Sequence, residues 1–396
     1  MRKLVGYIFL VLFLVSCSKL ENLPTIVVSE TEGLNRPLAY INTKLSLGRE
    51  LLANEMLVAI DPKDGSTILM DVKRSVESKN PFEYAVIFPV QMEANQTKKI
   101  KLQINKKEST SFPVDTVLSE DNLEVENSYY KATFSSEDDQ RGGQINGIYL
   151  KNFKNQVLKR SHIAMHWAPN FSKSSSELYF NLEDLQTDSK HHIEIEKYRV
   201  VKERSGITDS VPEILIEGRY EFYDKLPYFL FESSMTVQRE VELNLLRNDE
   251  MTMDSLFTHL AYTKEDGTIT HLNLYSDELD VLEENHVSDD AEWLAFYNLD
   301  KGYGFGSIRL EYNNTNVNGE PSPTHNPYTK ITKSSNNGRY WNRVLSDTIQ
   351  RFPVGSRYYE KNAYLIFSVN EENPDKEIRE FAQRLKHPLL VDVVKD

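Results

Sequence analysis

Many short segments of this chain alternate between apolar and polar residues. This pattern is the strongest constraint on its fold. Residues 99–104 alternate at every position, and residues 228–246 consist almost entirely of residue types that favour β-strands. Successive side chains of a strand point to opposite faces of a sheet, so an alternating segment predicts a strand with one buried face. A convincing helical period occurs only near the C-terminus. We therefore predict an all-β fold of antiparallel strands.

Two groups of strands are separated by one polar segment. Residues 61–65 form a turn signal between two strand-like runs, and the runs that follow are also short. These segments predict a small β-sandwich over residues 25–105. Residues 106–122 are polar, contain Pro113 and lack periodicity, which predicts a linker.

Residues 123–396 carry longer and more numerous strands. Their number predicts a large two-layer antiparallel sandwich that holds the catalytic or binding groups. A short C-terminal helix is also predicted, because Asn373 can cap it and His387-Pro388 can end it. The apolar residues on one side of this helix are Ile378, Phe381, Ala382 and Leu385.

The N-terminus has the features of a targeting segment. Arg2 and Lys3 precede an apolar run at residues 4–15 that is short for a membrane span. The sequence Leu-Val-Ser-Cys that ends at Cys17 resembles the lipobox of bacterial lipoprotein signal peptides. The resemblance implies a signal peptide over residues 1–16, lipidation of Cys17 and a polar tether over residues 17–24. The alternative is an uncleaved anchor helix that happens to end in cysteine.

Cys17 is the only cysteine of the chain, so the mature protein would have no disulfide and no cysteine-based metal site. Acyl chains on Cys17 would anchor the protein in the outer membrane of the cell envelope, on its periplasmic or its surface side. Removal of residues 1–16 leaves 44 basic and 60 acidic residues, a net charge of −16. This acidity argues against nucleic acid as a partner, although a local arginine cluster can still bind an anion. The sequence indicates no obligate protein partner.

Motifs of several common enzyme classes are absent from the sequence: the P-loop, HExxH, the EF-hand loop and the GxSxG elbow. Residues 302–306 contain three glycines, but they precede a strand and not a helix, which indicates a turn and not a phosphate loop. His191 and His192 are adjacent and would point to opposite faces of a strand, so we predict no metal site there.

Residues 162–167 contain two histidines in a strand-like segment. Alternation would place Met165 and Trp167 on a core face, and His162 and His166 on the other face. At ~3.3 Å per residue the two imidazoles are ~13 Å apart, too far to bind one metal. Either imidazole can act as an acid or a base near neutral pH. The alternative is a surface or structural histidine, and the turn after Trp167 favours a functional role for His166.

Residues 339–343 are the best candidate for ligand binding. Arg339, Trp341 and Arg343 would line one face of a strand, where tryptophan can stack on a sugar ring and arginine can bind carboxylate or sulfate. His325 lies in a loop just upstream that could close over the same site. The alternative is an exposed strand in which the arginine stems cover the tryptophan.

A cluster of carboxylates offers a weaker hypothesis. Asp249, Glu250 and Asp254 could supply the acid/base pair of a glycosidase. Carboxylates close in sequence are common in so acidic a chain, so this spacing alone carries little information.

The layout as a whole resembles lipoproteins of bacterial polysaccharide-utilisation systems, in particular the oligosaccharide dehydratases of ulvan breakdown. The segments that carry the resemblance are residues 141–147, 166–170 and 339–343. The resemblance implies a small N-terminal sandwich followed by a mutarotase-like supersandwich, the fold that several polysaccharide lyases also use. It further implies loss of water from a terminal uronic acid, which leaves a 4,5-unsaturated sugar.

The implied reaction sets chemical requirements of its own. An arginine or protonated histidine must offset the charge of the uronate carboxylate before the proton at C5 can be removed. A histidine or tyrosine must accept that proton and a second group must protonate the departing hydroxyl, with no metal or organic cofactor required. We expect His166, His259 and Tyr340 as acid/base groups, and Arg339, Arg343, Trp341 and His325 as groups that bind the acidic oligosaccharide substrate.

Two other functions remain open at this point. A non-catalytic glycan-binding lipoprotein would use the same tryptophan and arginines without a nearby proton-transfer group. A polysaccharide lyase would cleave chains that contain uronate by the same proton abstraction.

Overall fold

The computed structural model describes most of the chain from residue 23 onward. Cys17, the preceding segment and His162 lie outside the described residues. The described ranges are 23–75, 78, 80–107, 112, 114–136, 142–154, 156–159, 165–174, 178–185, 189–284 and 286–395.

The described N-terminal residues form two small sheets packed face to face. Alternating burial along β1, for example, puts Ile26 and Val28 at 0% exposure while their neighbours are half-buried. The strands are β1 Thr25–Ser29, β2 Arg36–Ser46, β3 Glu55–Ile60, β4 Thr67–Leu69, β5 Asp71–Arg74, β6 Glu83–Met92 and β7 Thr97–Lys106. One sheet has the order β28-β1-β7-β3-β4, with β28 at Leu390–Val394, and the other has the order β2-β6-β5. The last strand of the chain therefore completes the sheet that begins with its first strand.

The remaining strands build three further antiparallel sheets. The first part of the chain supplies β8 Val117–Leu118, β9 Glu124–Glu126, β10 Tyr130–Phe134, β11 Ile145–Leu150, β12 Gln156–Lys159, β13 Asn170–Lys173, β14 Lys190–Ile195, β15 Arg199–Gly206, β16 Ile214–Tyr223 and β17 Tyr228–Val237. The second part supplies β18 Val241–Met253, β19 His259–Thr263, β20 Ile269–Asn273, β21 Val287–Ser288, β22 Trp293–Asn298, β23 Tyr303–Asn313, β24 Tyr328–Lys333, β25 Arg339–Ser346, β26 Gln350–Phe352 and β27 Arg357–Ser368.

A nine-stranded sheet is the largest layer, with the order β14-β15-β16-β17-β27-β23-β22-β19-β20. It packs on a six-stranded sheet that runs β13-β18-β25-β24-β21, with β26 paired to β18, and on a five-stranded sheet that runs β12-β11-β10-β9-β8. One continuous core lies between these layers. The prediction of an all-β sandwich architecture is confirmed.

Two α-helices accompany the sheets in the described residues: α1 at Asp277–Glu284 and α2 at Lys376–Lys386. The predicted C-terminal helix is therefore confirmed, and its Ile378 and Ala382 are buried against β23 and β27. The residue before its first turn is Asp375 and not Asn373, so the predicted cap was wrong by two positions. None of the helices within the described residues is both long and apolar enough to cross a membrane.

The small sandwich is joined to the rest of the chain by buried polar contacts. Arg36 donates to the carbonyl oxygens of Arg384 and His387 at the end of α2, and its guanidinium also pairs with Glu30 at 3.4 Å. Tyr40 donates to the Asp224 carbonyl oxygen at 2.9 Å, across the same junction. Because these groups are largely shielded from water, they fix how the small sandwich sits on the large one.

Candidate functional site

The strand that was expected to bind ligand lies in the interior of the molecule. Trp341 is 0% exposed, and the rings of Phe296 and Phe305 lie against it. Its indole N–H donates to Asp249 at 3.2 Å. The expectation that Trp341 is a sugar-stacking platform was therefore wrong, because the faces of its ring are covered by the core.

The two arginines of that strand are also occupied by protein groups. Arg339 donates to the carbonyl oxygens of Leu274 and Gly338 at 2.9 and 2.8 Å. Arg343 is 5% exposed and pairs with Asp289 at 2.7 Å. Alternation correctly put Arg339, Trp341 and Arg343 on one side of β25, but that side is the inner one and not a ligand-binding surface.

Asp249 is the centre of a polar network in this interior. Tyr364 donates to its Oδ1 at 3.2 Å, while Arg309 and Tyr312 donate to its Oδ2 at 3.0 and 3.2 Å. The residue has a φ of 46°, at a bulge where the pairing of β18 with β25 shifts register. A bulge re-aims side chains, and here it turns the Asp249 carboxylate into the core, towards its donors.

His166 is part of the same buried network and is not exposed to solvent. It is 0% exposed, with Nδ1 2.5 Å from the Tyr220 hydroxyl and Nε2 3.3 Å from that of Tyr364. Burial lowers the pKa of His166 to about 3, so the imidazole is neutral at physiological pH. The predicted alternation was wrong here: both Met165 and His166 are buried, and Trp167 is only half-buried.

A buried carboxyl group closes the network. Glu360 accepts the backbone N–H of Asp249 at 2.8 Å and the side chains of Ser233 and Asn362, each at 2.7 Å. Burial, reinforced by the charge of Asp249, raises the pKa of Glu360 to about 7. The inner network is therefore a buried structural unit that holds the bulge of β18 in place.

The remaining predicted residues lie apart from one another. His259 is half-buried on β19, stacked on Tyr297 with the ring centroids 5.1 Å apart, within the nine-stranded sheet. Burial lowers the pKa of His259. His325 is exposed in the loop before β24, 3.6 Å from Asp347. The structure does not bring His166, His259 and Tyr340 together.

Tyr340 lies on the other face of the six-stranded sheet, and its neighbours there are polar. Residues opposite one another in adjacent strands project to the same face. The pairs Asn170–Arg247, Arg247–Val344 and Val344–Tyr328 form one row across the sheet, and Asn342–Lys330 and Tyr340–Thr332 lie beside it. We call this surface the polar face; its chemically active members are Asn170, Arg247, Glu250, Tyr328, Lys330, Tyr340 and Asn342.

Arg247 is the central cation of the polar face. Its Nε lies 2.8 Å from Glu250 Oε2, and its guanidinium lies over the ring of Tyr179 with 5.2 Å to the centroid. Burial raises the pKa of Tyr340, and the positive charge of Arg247 opposes that rise. The phenol of Tyr340 is therefore protonated at neutral pH and can act as a proton donor.

A second group lies at the edge of the polar face, where β21 pairs with β24. The imidazole of His286 stacks on the ring of Tyr328, with 3.9 Å between centroids and 11° between planes. The Tyr328 hydroxyl donates to Asp347 at 2.9 Å. Desolvation, followed by the nearby charge of Lys330, lowers the pKa of His286. His286 is consequently neutral at pH 7 and can accept a proton.

Two amide side chains on the polar face are buried without partners. Asn170 and Asn342 are each 0% exposed, and neither their Nδ2 nor their Oδ1 atoms have a hydrogen-bond partner among the described residues. Unsatisfied buried amides are uncommon in native proteins because each costs free energy. A hydroxyl-rich ligand on this face could satisfy both of them.

The polar face thus combines two cations, a carboxylate, two phenols and two amides, with the imidazole of His286 at its edge. Only Tyr340 among them was predicted as a site residue. Glu250 was recognised only within a weak carboxylate cluster. Asn170 and Asn342 lie in two of the segments that carry the resemblance but were given no role, and Arg247 and Lys330 were not predicted as site residues. Within the described part of the chain, no three His, Cys, Asp or Glu side chains are placed to hold a metal ion.

The fold has relatives among solved structures, although no protein-family model and no curated protein matches the chain. An α-mannosidase from Enterococcus faecalis superposes with a TM-score of 0.55 and 9% identity, over 94% of this chain and 46% of that one. An α-N-acetylgalactosaminidase from Bifidobacterium bifidum gives a TM-score of 0.41 and 10% identity, over 66% and 39%. The chain thus spans less than half the length of either enzyme. At such low identity, the similarity to the α-mannosidase shows a shared fold only.

Proposed function

We propose that this protein is a carbohydrate-active enzyme that removes water from the non-reducing-end uronic acid of acidic oligosaccharides, at the polar face. One observation carries the proposal: a single face of the six-stranded sheet holds the cations Arg247 and Lys330, the phenols of Tyr328 and Tyr340, and the imidazole of His286. These are the groups that dehydration of a uronate requires, without a metal ion.

The roles follow from charge and protonation state. Arg247 and Lys330 would offset the substrate carboxylate, so that negative charge can develop next to C5. Neutral His286 would take the C5 proton, and Tyr340 would give a proton to the hydroxyl that leaves C4. The C5–H and C4–O bonds break, a C4–C5 double bond forms, and water departs. Loss of the proton from His286 to solvent and uptake of a proton from solvent by the tyrosinate would reset the enzyme.

The amides explain how a sugar would be oriented. Asn170 and Asn342 would bind its hydroxyl groups, since each amide offers donors and an acceptor that no described residue uses. Trp167, half-buried beside the backbone of Glu250, would contribute apolar contact with the ring. The interior position of His166 removes it from this mechanism.

Mass analysis of the products tests the reaction class. The purified protein is incubated with oligosaccharides that end in a free uronic acid, and with their methyl esters. We expect loss of one water without chain shortening, and new ultraviolet absorbance from the unsaturated uronate. Chain shortening with unsaturation would indicate a lyase, and chain shortening with added water would indicate a glycosidase.

Non-catalytic glycan binding is the second candidate function. The observation that favours it is the pair of unpartnered amides, because Asn170 and Asn342 supply hydrogen bonds and no proton transfer. Binding of acidic oligosaccharides with no mass change across the panel would support this alternative and overturn the dehydratase proposal.

We also propose that the mature protein is a lipoprotein of the bacterial outer membrane, anchored through Cys17. The lipobox that ends at Cys17 and the absence of any other cysteine support this location. An anchored enzyme of this kind would process oligosaccharides at the cell envelope.

A further inference from the structure

A groove on the nine-stranded sheet has a volume of about 380 Å³. Its described lining residues lie on five neighbouring strands: β14, β15, β16, β17 and β27. Because all of these lining residues belong to strands, the surface of the sheet itself forms the groove. The volume is within the range of small-molecule sites.

One row of side chains across the groove alternates in charge. The cross-strand pairs His192–Glu203, Glu203–Arg219, Arg219–Glu232 and Glu232–Lys361 place five residues side by side on one face. Arg219 Nε lies 2.7 Å from Glu203, and Lys361 Nζ lies 2.6 Å from Glu232. The charges of this row are therefore balanced by its own members.

The adjacent row combines two charged residues with hydroxyl and aromatic groups. The pairs Lys190–Ser205, Ser205–Glu217, Glu217–Ser234 and Ser234–Tyr359 run parallel to the first row. Ser234 donates to Glu217 Oε2 at 2.7 Å, and Glu217 is exposed to solvent. The ring of Tyr359 is half-buried, with the Arg357 guanidinium 5.9 Å from its centroid.

This arrangement selects against charged ligands. The lining carries no excess of either charge: its carboxylates are Glu203, Glu217 and Glu232, and its cations include Lys190, Arg219 and Arg357. The remaining cation, Arg204, donates to the carbonyl oxygens of Gly142 and Leu182. An anionic or a cationic sugar therefore finds no uncompensated counter-charge in the groove. An apolar ligand would leave the charged row desolvated, at a cost in free energy. A ring with many hydroxyl groups can both donate to the carboxylates and lie against Tyr359.

We infer that this groove is a second binding site, for a neutral sugar. It is separate from the polar face, because the two surfaces belong to different sheets. It also differs in chemistry: the polar face presents cations for an acidic sugar, and the groove presents balanced charges and a phenol ring for an uncharged one. The inference rests on the groove alone and holds whether or not the polar face is catalytic.

A glycan array that carries both neutral and uronate-bearing oligosaccharides tests this site. We expect fluorescently labelled wild-type protein to bind a subset of the neutral glycans. Glu217→Ala and Tyr359→Ala should each weaken that binding about 10- to 100-fold, the loss expected for one charge-assisted hydrogen bond or one stacked ring. Binding of uronate-bearing glycans by the same variants should stay at the wild-type level.

A matched control is available elsewhere in the chain. Glu242 on β18 accepts a hydrogen bond from Ser174 at 2.7 Å, the same pairing as Glu217 with Ser234, but it lies outside the groove. Glu242→Ala should leave neutral-glycan binding unchanged. Thermal unfolding of each variant separates lost binding from lost folding, and Glu217→Gln, which keeps the side-chain volume, provides a second test.

Two results would overturn the inference. One is the absence of any neutral glycan bound by the wild-type protein. The other is neutral-glycan binding that survives Glu217→Ala, Glu217→Gln and Tyr359→Ala but is lost in Tyr340→Phe, which would place the binding at the polar face. Failure of the dehydratase proposal would appear separately, as unchanged product masses.

Discussion

Asp249 and Glu250 are consecutive residues whose carboxylates face opposite sides of the six-stranded sheet. Asp249 is held in the core by Tyr364, Trp341, Arg309 and Tyr312, while Glu250 pairs with Arg247 on the polar face. The bulge in β18 separates the two directions. One peptide unit thus connects the structural network to the candidate site.

We therefore expect the Asp249 carboxylate to support stability and the Glu250 carboxylate to support substrate binding. Asp249→Asn leaves the buried Arg309 without its counter-ion, so the free energy of unfolding should fall by about 3 kcal/mol. Glu250→Gln keeps the side-chain volume and leaves a less buried arginine, so the loss of stability should be smaller, about 1 to 2 kcal/mol. It should also reduce substrate binding, because Arg247 loses its fixed position. Chemical denaturation and binding assays on both variants check this; equal stability losses would contradict the division of roles.

Tyr340 is the residue through which the proposed chemistry can be tested most directly. Tyr340→Phe removes the proton donor and keeps the ring, so turnover should fall ~10²-fold or more with little change in substrate affinity. Tyr149→Phe, a half-buried tyrosine on β11, is the control and should retain full activity. Unchanged turnover in Tyr340→Phe would exclude this residue as the proton donor.

His166 gives the protein a defined sensitivity to acid. In the folded state its pKa is about 3, whereas an unfolded histidine titrates near 6.5. Below pH 6.5 this histidine is protonated in the unfolded chain but stays neutral in the folded chain. The free energy of unfolding therefore decreases as the pH falls from 6.5 to about 3. As the pH falls from 7 to 5, the contribution of His166 to the free energy of unfolding should decrease by about 2 kcal/mol.

The His166 prediction is measured as a difference between two proteins. His166→Gln cannot titrate, so its free energy of unfolding relative to wild type should rise by that amount as the pH falls from 7 to 5. Glu360 has a raised pKa, so it causes loss of stability as the pH increases from about 4.5 to 7. This effect is the same in both proteins and cancels in the difference. A pH-independent difference would show that the His166 pKa is unshifted.

The proposed anchor makes a prediction in cells. Cys17→Ala should yield an unlipidated precursor that is not retained in the membrane fraction, because no acyl chain can be attached. Fractionation of cells that express wild type and the variant checks this. Equal retention of both proteins would favour the alternative of an uncleaved anchor helix.

The sequence predicted the type of structure better than the position of its site. Alternation identified strands such as β7 and β17, and an amphipathic pattern identified α2. Helix α1 was missed because only Leu279 and Leu282 mark its buried side in eight residues. Alternation assigned Trp341 and Arg343 to one side of β25 but could not tell which side faces solvent, since the strand is covered on both.

The polar face could not be predicted for a different reason. Asn170 and Asn342 are brought onto one face only through the order β13-β18-β25, which pairs segments far apart in the chain. This juxtaposition depends on which strands pair in the folded sheet, so no local sequence pattern indicates it. Short-range signals existed for Arg247 and Glu250, which lie three residues apart and form an ion pair, and for Tyr340 and Asn342, which lie two residues apart on β25.

The pairing of β1 with β28 has a consequence for how the protein is made. Thr25 lies opposite Val394, so the first sheet gains its edge strand only when residues 390–394 are present. A polypeptide is synthesised and exported from its N-terminus, and most N-terminal domains can fold before the remainder follows. Here the edge strand β28 can join only after residues 390–394 have been made. Loss of β28 would leave the edge of β1 unpaired and open to pairing with a strand of another molecule.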